Sequence, residues 1–324
     1  MVRVLSSIAA AFAFIVAASG ALAQEAYPSK PIRTIIPITP GTGIDIAMRK
    51  ASEELRPRLG QPLVIDNQPG ANFIIGTNNC AKAAGDGYTM CVLSPDSVTN
   101  NPFIFAKLPY DPQRELKPVV NLFFLTEGLF AKTSLNVKSV KELRELAASR
   151  KNGLDFGTLG PRTTPDIVRM WLADLWNANF VGIPYKGGNL VITALVAGEV
   201  DTGVIGAYNA LSQIQAGKVT LLALGGHKRF APLPNTPVIS EVGLGDMPGH
   251  VWWGIFMPAT TPDSMVRRIN AEFVRLYREP KFAEFIEGQL SEIAVSSPED
   301  FAAYLRAERE KSAALFKKYS IKPE

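Results

Sequence analysis

Residues 32–49 read IRTIIPITPGTGIDIAMR. Isoleucine and threonine dominate the run up to Ile38, which predicts a strand. Pro40 stops it, and Gly41 and Gly43 free the backbone to turn. From Asp45 the pattern becomes helical and runs to a stop at Gly60. A helix starting in such a loop aims unpaired N–H groups and its positive dipole end at whatever sits there, which suits an anion. Asp45 has two readings, a cap on its own helix or a ligand contact. A bare carboxylate repels an acid and attracts only an amine, so the cap is favoured. The loop is no dinucleotide fingerprint, because Ile46 stands where the third glycine belongs, and it lacks the Gly-Lys-Ser/Thr of a P-loop.

Outward from this stretch the grammar repeats. PLVIDNQ (62–68) and YTMCVLS (88–94) read as strands flanking a helical IIGTNNCAKAA (74–84). After a proline-rich passage and an apolar β-like run, NLFFLTEGLFAK (121–132), a second series begins. Its helices include KSVKELRELAASRKNG, with Ser139 as N-cap, and TPDIVRMWLADLW; its strands include LDFGTLG and VDTGVIGA. Strand, helix, strand with short Gly/Pro turns implies right-handed βαβ units and mostly parallel sheets. The closing helices, ending in PEDFAAYLRAEREKSAALFKKY, lack strands enough for a domain of their own and are expected to pack back on the first.

Residues 1–23 carry one charge, Arg3, then an apolar run and Ala21-Leu22-Ala23, the pattern of a cleavable secretory signal; the run is too short for a comfortable anchor. Without them about 300 residues remain, room for two domains. The net charge of +4 is mild and no basic cluster stands out, so no nucleic-acid partner is expected. Cys80 and Cys91, in an exported chain, either bridge or pack as two buried free thiols. His227 and His250 lie far from the cysteines and from each other, so no metal site is expected. No cofactor is implied. Neither histidine is near a candidate nucleophile and there is no G-x-S-x-G elbow, so no catalytic residue and no enzyme is expected; a secreted hydrolase is the minor alternative.

Several fragments in order, YPSKPIRTIIPITPGTGIDIAMR, LGQPLVIDNQPGAN, AKAAGDGYTM, NPFIFAKLPYDPQRELKPV, IPYKGG, LPNTPVISEVGL and WWGIFMPATTP, resemble the Bug-type periplasmic solute-binding proteins, the receptor class of tripartite tricarboxylate transporters. The resemblance spans essentially the whole chain after the leader. It implies an α/β, two-lobed periplasmic binding protein (type II-like, a Venus flytrap) with two crossing segments, and a hinge closure that bound solute stabilises. Lobe 1 is expected at 24–126 plus 251–324 and lobe 2 at 127–250. The ligand implied is a small carboxylate, a class that in the family includes dicarboxylates, amino acids and aromatic acids, and the partner is a membrane permease, with the receptor monomeric; presentation of the solute to a signalling receptor stands as the alternative.

The same resemblance places the ligand-binding residues. In the first loop they are Gly41, Thr42, Gly43 and Asp45, where Thr42 replaces a family glycine and Ile44 a threonine, making the wall more apolar. In FGTLGPRTTP they are Thr158, Gly160 and Thr163, with Arg162 either a bidentate carboxylate clamp or a solvated loop residue. The YKGG loop adds Gly187 and Tyr185, the latter either lining the cleft or plugging the lobe; Ile205 and Gly206 stand where the family often has an aspartate-asparagine pair, a loss that weakens recognition of an amino group and favours a ligand with an apolar or aromatic body. Ser94 and Asp96, and Trp252 as either hinge packing or ligand stacking, complete the set.

Overall fold

The computed structural model describes residues 27–226, 229–245 and 247–323; the leader with its cleavage site, and His227, lie outside them. Helices of eight or more residues are labelled. The chain opens β1 (Ile32–Ile36), α1 (Gly43–Leu59), β2 (Leu63–Asn67), α2 (Ile74–Ala81), β3 (Thr89–Leu93) and β4 (Leu116–Leu125). It continues through β5 (Glu127–Lys132), α3 (Val140–Ser149), β6 (Leu154–Thr158), α4 (Thr164–Trp176), β7 (Phe180–Pro184), α5 (Gly188–Ala197), β8 (Thr202–Gly206) and β9 (Val219–Leu224). It returns with β10 (Trp252–Pro258), α6 (Asp263–Tyr277), α7 (Pro280–Gly288), β11 (Ser291–Ile293) and α8 (Pro298–Lys318).

Two sheets result, ordered β2-β1-β3-β10-β4-β11 and β7-β6-β8-β5-β9. In both, one strand (β1 or β6) pairs in parallel with the next two in the chain, and an antiparallel strand arriving from the other lobe (β10 or β5) lies beside the later of those two. The central strands are buried on both faces by helices, which is why TGVIG and TMCVL contain hardly a polar residue. The apolar run at 121–132 is two strands separated only by Thr126, so the first crossing between lobes is nearly continuous backbone. Thr126 donates its N–H to the Leu290 carbonyl of the first lobe, and its own carbonyl accepts from Ala207 N–H of the second.

Of the two readings of the cysteines, the structure has the bridge: Cys80, late in α2, is joined to Cys91 on β3. Ser139 caps α3 by accepting the Glu142 N–H at 3.2 Å. No helix among the described residues is long and apolar enough to cross a membrane.

The last helix fastens back onto the first sheet. Phe301 of α8 meets Trp252 edge-on at 5.5 Å and Phe256 at 5.2 Å, with Tyr304 completing the aromatic group. The backbone leaves room for that ring only because residue 254 is glycine: a Cβ there would stand 2.3 Å from the Phe301 ring. Farther along, Phe316 packs on Ile167 of α4, so α8 touches both lobes. Phe301→Ala removes a fully buried ring from this group and is expected to cost about 3–5 kcal/mol. The urea midpoint of the leaderless protein is to be measured; a shift below about 1 kcal/mol would show that α8 is not anchored there.

Candidate functional site

The loops that open α1 and α4 are two copies of one device. Pro40-Gly41-Thr42-Gly43-Ile44-Asp45 and Pro161-Arg162-Thr163-Thr164-Pro165-Asp166 share a P-x-T-x-x-D pattern. In each, the second residue has positive φ, +80° at Gly41 and +62° at Arg162. In each, that residue's N–H donates to the carboxylate four positions on, Gly41 to Asp45 at 2.9 Å and Arg162 to Asp166 at 2.6 Å. In each, the threonine is the N-cap residue and its hydroxyl turns back to a carbonyl three residues earlier, Thr42 to Thr39 and Thr163 to Gly160. In each, the aspartate then pairs with an arginine one turn along, Arg49 or Arg169. The loops are thereby braced from within, and both helix starts face the space between the lobes.

The lobes are shut on each other by hydrogen bonds from these same loops. Asn72 Nδ2 donates to the Pro161 carbonyl at 2.7 Å, Thr39 Oγ1 to Asn189 Oδ1 at 2.9 Å, and Asn189 Nδ2 to the Pro40 carbonyl at 3.2 Å. Gly43 N–H donates to Asn209 Oδ1 at 3.2 Å. Deepest, Asp96 Oδ1 accepts both Thr164 N–H and Thr164 Oγ1 at 2.9 Å, and Asn100 Nδ2 at 3.0 Å. An acid of the first lobe therefore caps a helix of the second.

Behind these contacts the lobes enclose a small cavity, with about 50 Å³ open to the centre of a water molecule. Its apolar lining includes Ile38, Phe73, Leu159, Ile205 and Trp253. Thr42, Gly43, Ile44 and Gly188 bring the starts of α1 and α5 to it, and Ser94, Asp96, Glu127 and Asn209 supply its other polar groups. The N–H groups of Ile44 and Gly188 have no hydrogen-bond partner among the described residues. No lysine or arginine lines the space.

Of the residues expected from sequence, Thr42, Gly43, Ser94, Asp96 and Ile205 meet at this cavity, and Ile44 with them. Gly41 sits just outside in the loop's left-handed position. Asp45 is neither an N-cap nor a lining residue: its carboxylate, 2 % exposed, stitches the loop and holds Arg49. Thr158 lies at the foot of its loop, its hydroxyl accepting the Gly160 N–H at 3.3 Å. Gly160 marks one close approach of the lobes, since a Cβ there would come within 2.2 Å of Asn72 Oδ1. Gly187 plays the same part, with Thr39 Oγ1 2.0 Å from the place of its missing Cβ. Tyr185 is partly buried against the second lobe and faces Glu199, outside the cavity.

Arg162 does not clamp the cavity. Its left-handed backbone, equivalent to that of Gly41, turns the side chain outward, and its Nη1 donates to the Lys322 carbonyl near the C-terminus. Trp252 is fully buried in the aromatic group under α8; its neighbour Trp253, on the opposite face of β10, is the one that reaches the cavity. Sequence reasoning missed Glu127, Asn189 and Asn209. The P-x-T-x-x-D repeat would have exposed the outward course of Arg162.

Burial pushes the Asp45 carboxyl up, but Arg49, the Gly41 N–H and Asn67 outweigh it and hold the group below its ordinary value. The two acids of the cavity behave oppositely. Burial pushes Asp96 up despite its three donors. Glu127, 3 % exposed, is pushed up to about 8 by burial and by the nearby Asp96. His250, Glu292, Glu308 and Lys311 line a second, larger hollow, and Glu127 lines it as well as the small cavity.

Comparison with known proteins bears on this arrangement. The model of the tripartite tricarboxylate transporter family receptor matches residues 47–321. A UPF0065 protein from the tcbD–tcbE intergenic region of a Pseudomonas species is 30 % identical over 98 % of this chain and 94 % of its own. Among solved structures, the periplasmic binding protein BugD superposes with a TM-score of 0.85 at 25 % identity, covering 92 % of this chain and all of that one. Rpa4515 of R. palustris, solved with adipate, gives 0.88 at 25 % identity over the same share of both chains.

A pH dependence follows from Glu127. Its folded-state value of about 8 lies above its ordinary 4.5, so the folded chain holds this proton more tightly than the unfolded one. The group's contribution to stability is complete below 4.5 and is lost as pH rises through about 8. The melting temperature is therefore expected to fall between these limits, and Glu127→Gln to flatten the fall. An unchanged slope in the variant would place the titration elsewhere.

Proposed function

The chain belongs to the receptor family of the tripartite tricarboxylate transporters, and on that premise we propose that it captures a small organic acid between its lobes and passes it to a membrane permease. It is read as a binding protein and not an enzyme. The supporting observation is the pair of unpartnered N–H groups, Ile44 and Gly188, at two helix starts on one small cavity. Backbone donors fixed by a helix bind a carboxylate without a basic side chain, and the dipoles of α1 and α5 add to their pull. The structure of Rpa4515 with adipate offers a parallel in a relative with the same fold.

Closure follows from the same geometry. The ligand-binding groups proposed, Thr42, Gly43, Ile44 and Ser94 from one lobe and Gly188, Ile205 and Asn209 from the other, meet only when the lobes are shut. A solute touching both halves stabilises the shut state by its differential affinity for it. Arg162, Asp45 and Tyr185 serve the frame in this reading. The lobes are divided, in this reading, at Thr126, between β4 and β5, and at Val251, just before β10.

A thermal-shift screen of the leaderless protein against carboxylates, their amides and neutral sugars tests the reading. Carboxylates are expected to raise the melting temperature and their amides not to. A shift from sugars or amides alone would overturn it. Gly188→Pro deletes one of the proposed donors at the first helical position, and Gly188→Ala is its control, because any Cβ there presses on Ile205 and Asn209 while the alanine keeps the N–H. Acid binding is expected to be about tenfold weaker in the proline variant than in the alanine one; isothermal titration measures that ratio, and equal affinities would remove the Gly188 N–H from the site.

A further inference from the structure

The larger hollow takes its walls from both lobes. The first supplies Phe124 and, from α8, Tyr304, Glu308 and Lys311; the second supplies Glu127, Gly225, Ile239 and Met247. About 320 Å³ of it is open to the centre of a water molecule, against about 50 Å³ in the small cavity. None of the groups proposed above for the acid lines it. Glu127 is 3 % exposed, and its carboxyl has no hydrogen-bond partner among the described residues. Its direction follows from β5, whose residues Glu127–Leu129 pair in regular register with Gly206–Val204. Side chains alternate along a strand, so Glu127 shares the face of Leu129, which packs with Ile239 and Met247. Those two line the larger hollow and not the small cavity. The carboxyl is thus turned to the larger hollow.

A carboxyl is costly to bury unless something pairs with it. The other buried acids nearby have cations of their own: Asp45 has Arg49, Asp166 has Arg169, and Glu308 has Lys311 at 2.9 Å. Glu127 has no such partner among the described residues. The charged lining of the hollow is acidic on balance, with Glu127, Glu292 and Glu308 set against Lys311. It is also aromatic, since Phe124 and Tyr304, whose rings meet edge-on at 5.8 Å, both line it. An ammonium group suits both features. It pairs with a carboxylate through charged N–H donors, and it is drawn to the face of an aromatic ring.

We propose that the larger hollow is a second ligand site, separate from the acid site, and that it takes a small organic amine in its ammonium form, the charge on Glu127 and the apolar body against Phe124, Met247 and Tyr304. The proposal does not require the carboxylate reading. It accounts for a buried acid without a cation, and it has a proton balance. Burial and Asp96 push Glu127 up to about 8, so beside no cation the group keeps its proton at neutral pH. An arriving ammonium, which brings its own three N–H donors, makes the ionised form the favoured one. The carboxyl proton then leaves to the buffer. The titratable groups around Glu127 are Asp96 on the small cavity and His250, Glu292, Tyr304, Glu308 and Lys311 on the hollow.

Isothermal titration of the leaderless protein at neutral pH decides this, with butylamine, benzylamine and phenethylamine set against butanol, benzyl alcohol and phenethyl alcohol. An amine of this panel is expected to bind about tenfold or more tighter than its alcohol. Its measured enthalpy is expected to vary with the ionisation enthalpy of the buffer in the sense of proton release. Glu127→Gln is expected to weaken that amine about tenfold or more and to abolish the proton release. Gly225→Leu locates the site. Gly225 lines the larger hollow and not the small cavity, and a Cβ there meets the flexible tip of Met247 at 3.2 Å, so leucine adds bulk to the hollow. This variant is expected to lose the amine; melting curves establish that both variants fold. Amines that bind no tighter than their alcohols overturn the second site. So does a Glu127→Gln protein that still releases the proton, or a folded Gly225→Leu protein that binds the amine as before. No carboxylate enters these titrations, so each of those outcomes leaves the carboxylate reading standing.

Discussion

The shut form of this molecule turns on a single oxygen. Asp96 Oδ1 takes two hydrogen bonds from Thr164 in the opposite lobe and one from Asn100 in its own. A buried carboxylate is expensive to strip of water, and it recovers that cost only where donors converge on it. The backbone N–H and hydroxyl of Thr164, at the positive end of α4, converge only when the lobes meet. The contact thus ties the two lobes directly, and the amide contacts of Asn72 and Asn189 bridge the same gap. It also occupies the start of α4, whereas the Ile44 and Gly188 N–H groups at the starts of α1 and α5 have no partner among the described residues.

The repeat of the P-x-T-x-x-D loop ties local chemistry to overall symmetry. Both copies need a left-handed residue, a threonine that turns back, and an aspartate held by an arginine. The first copy meets the left-handed requirement with Gly41, at little cost. The second uses Arg162, whose long side chain must then leave the cleft. The frame is alike on both sides while the groups reaching the cavity differ, so specificity can change without altering the brace.

Much of the architecture was legible from sequence because burial on both faces writes itself as apolar runs, and turns write themselves as glycine and proline. The two α/β series, the crossing near Thr126 and the anion-suited loops all follow from such signals. What failed to show was direction. Trp252 and Trp253 are adjacent, and a period of two assigns them opposite faces without saying which face is the cavity. Glu127 lies inside an apolar run, where composition suggests an ordinary hinge strand; its isolation emerges only when Asp96 arrives from elsewhere in the chain. Asn189 and Asn209 are polar residues on unremarkable helical turns, and their contacts, 149 and 166 residues away in sequence, exist only between lobes.

Thr126 is bonded to one lobe through its N–H and to the other through its carbonyl. Any rotation that parts the lobes is therefore concentrated within one residue's pair of dihedrals and in the returning segment before β10. Distance from that pivot sets how far each contact travels. The Asn72–Pro161 bond, held by loops at the outer ends of the strands, has the long lever arm and parts widely for a small angle. Glu127, one residue from the pivot, hardly moves.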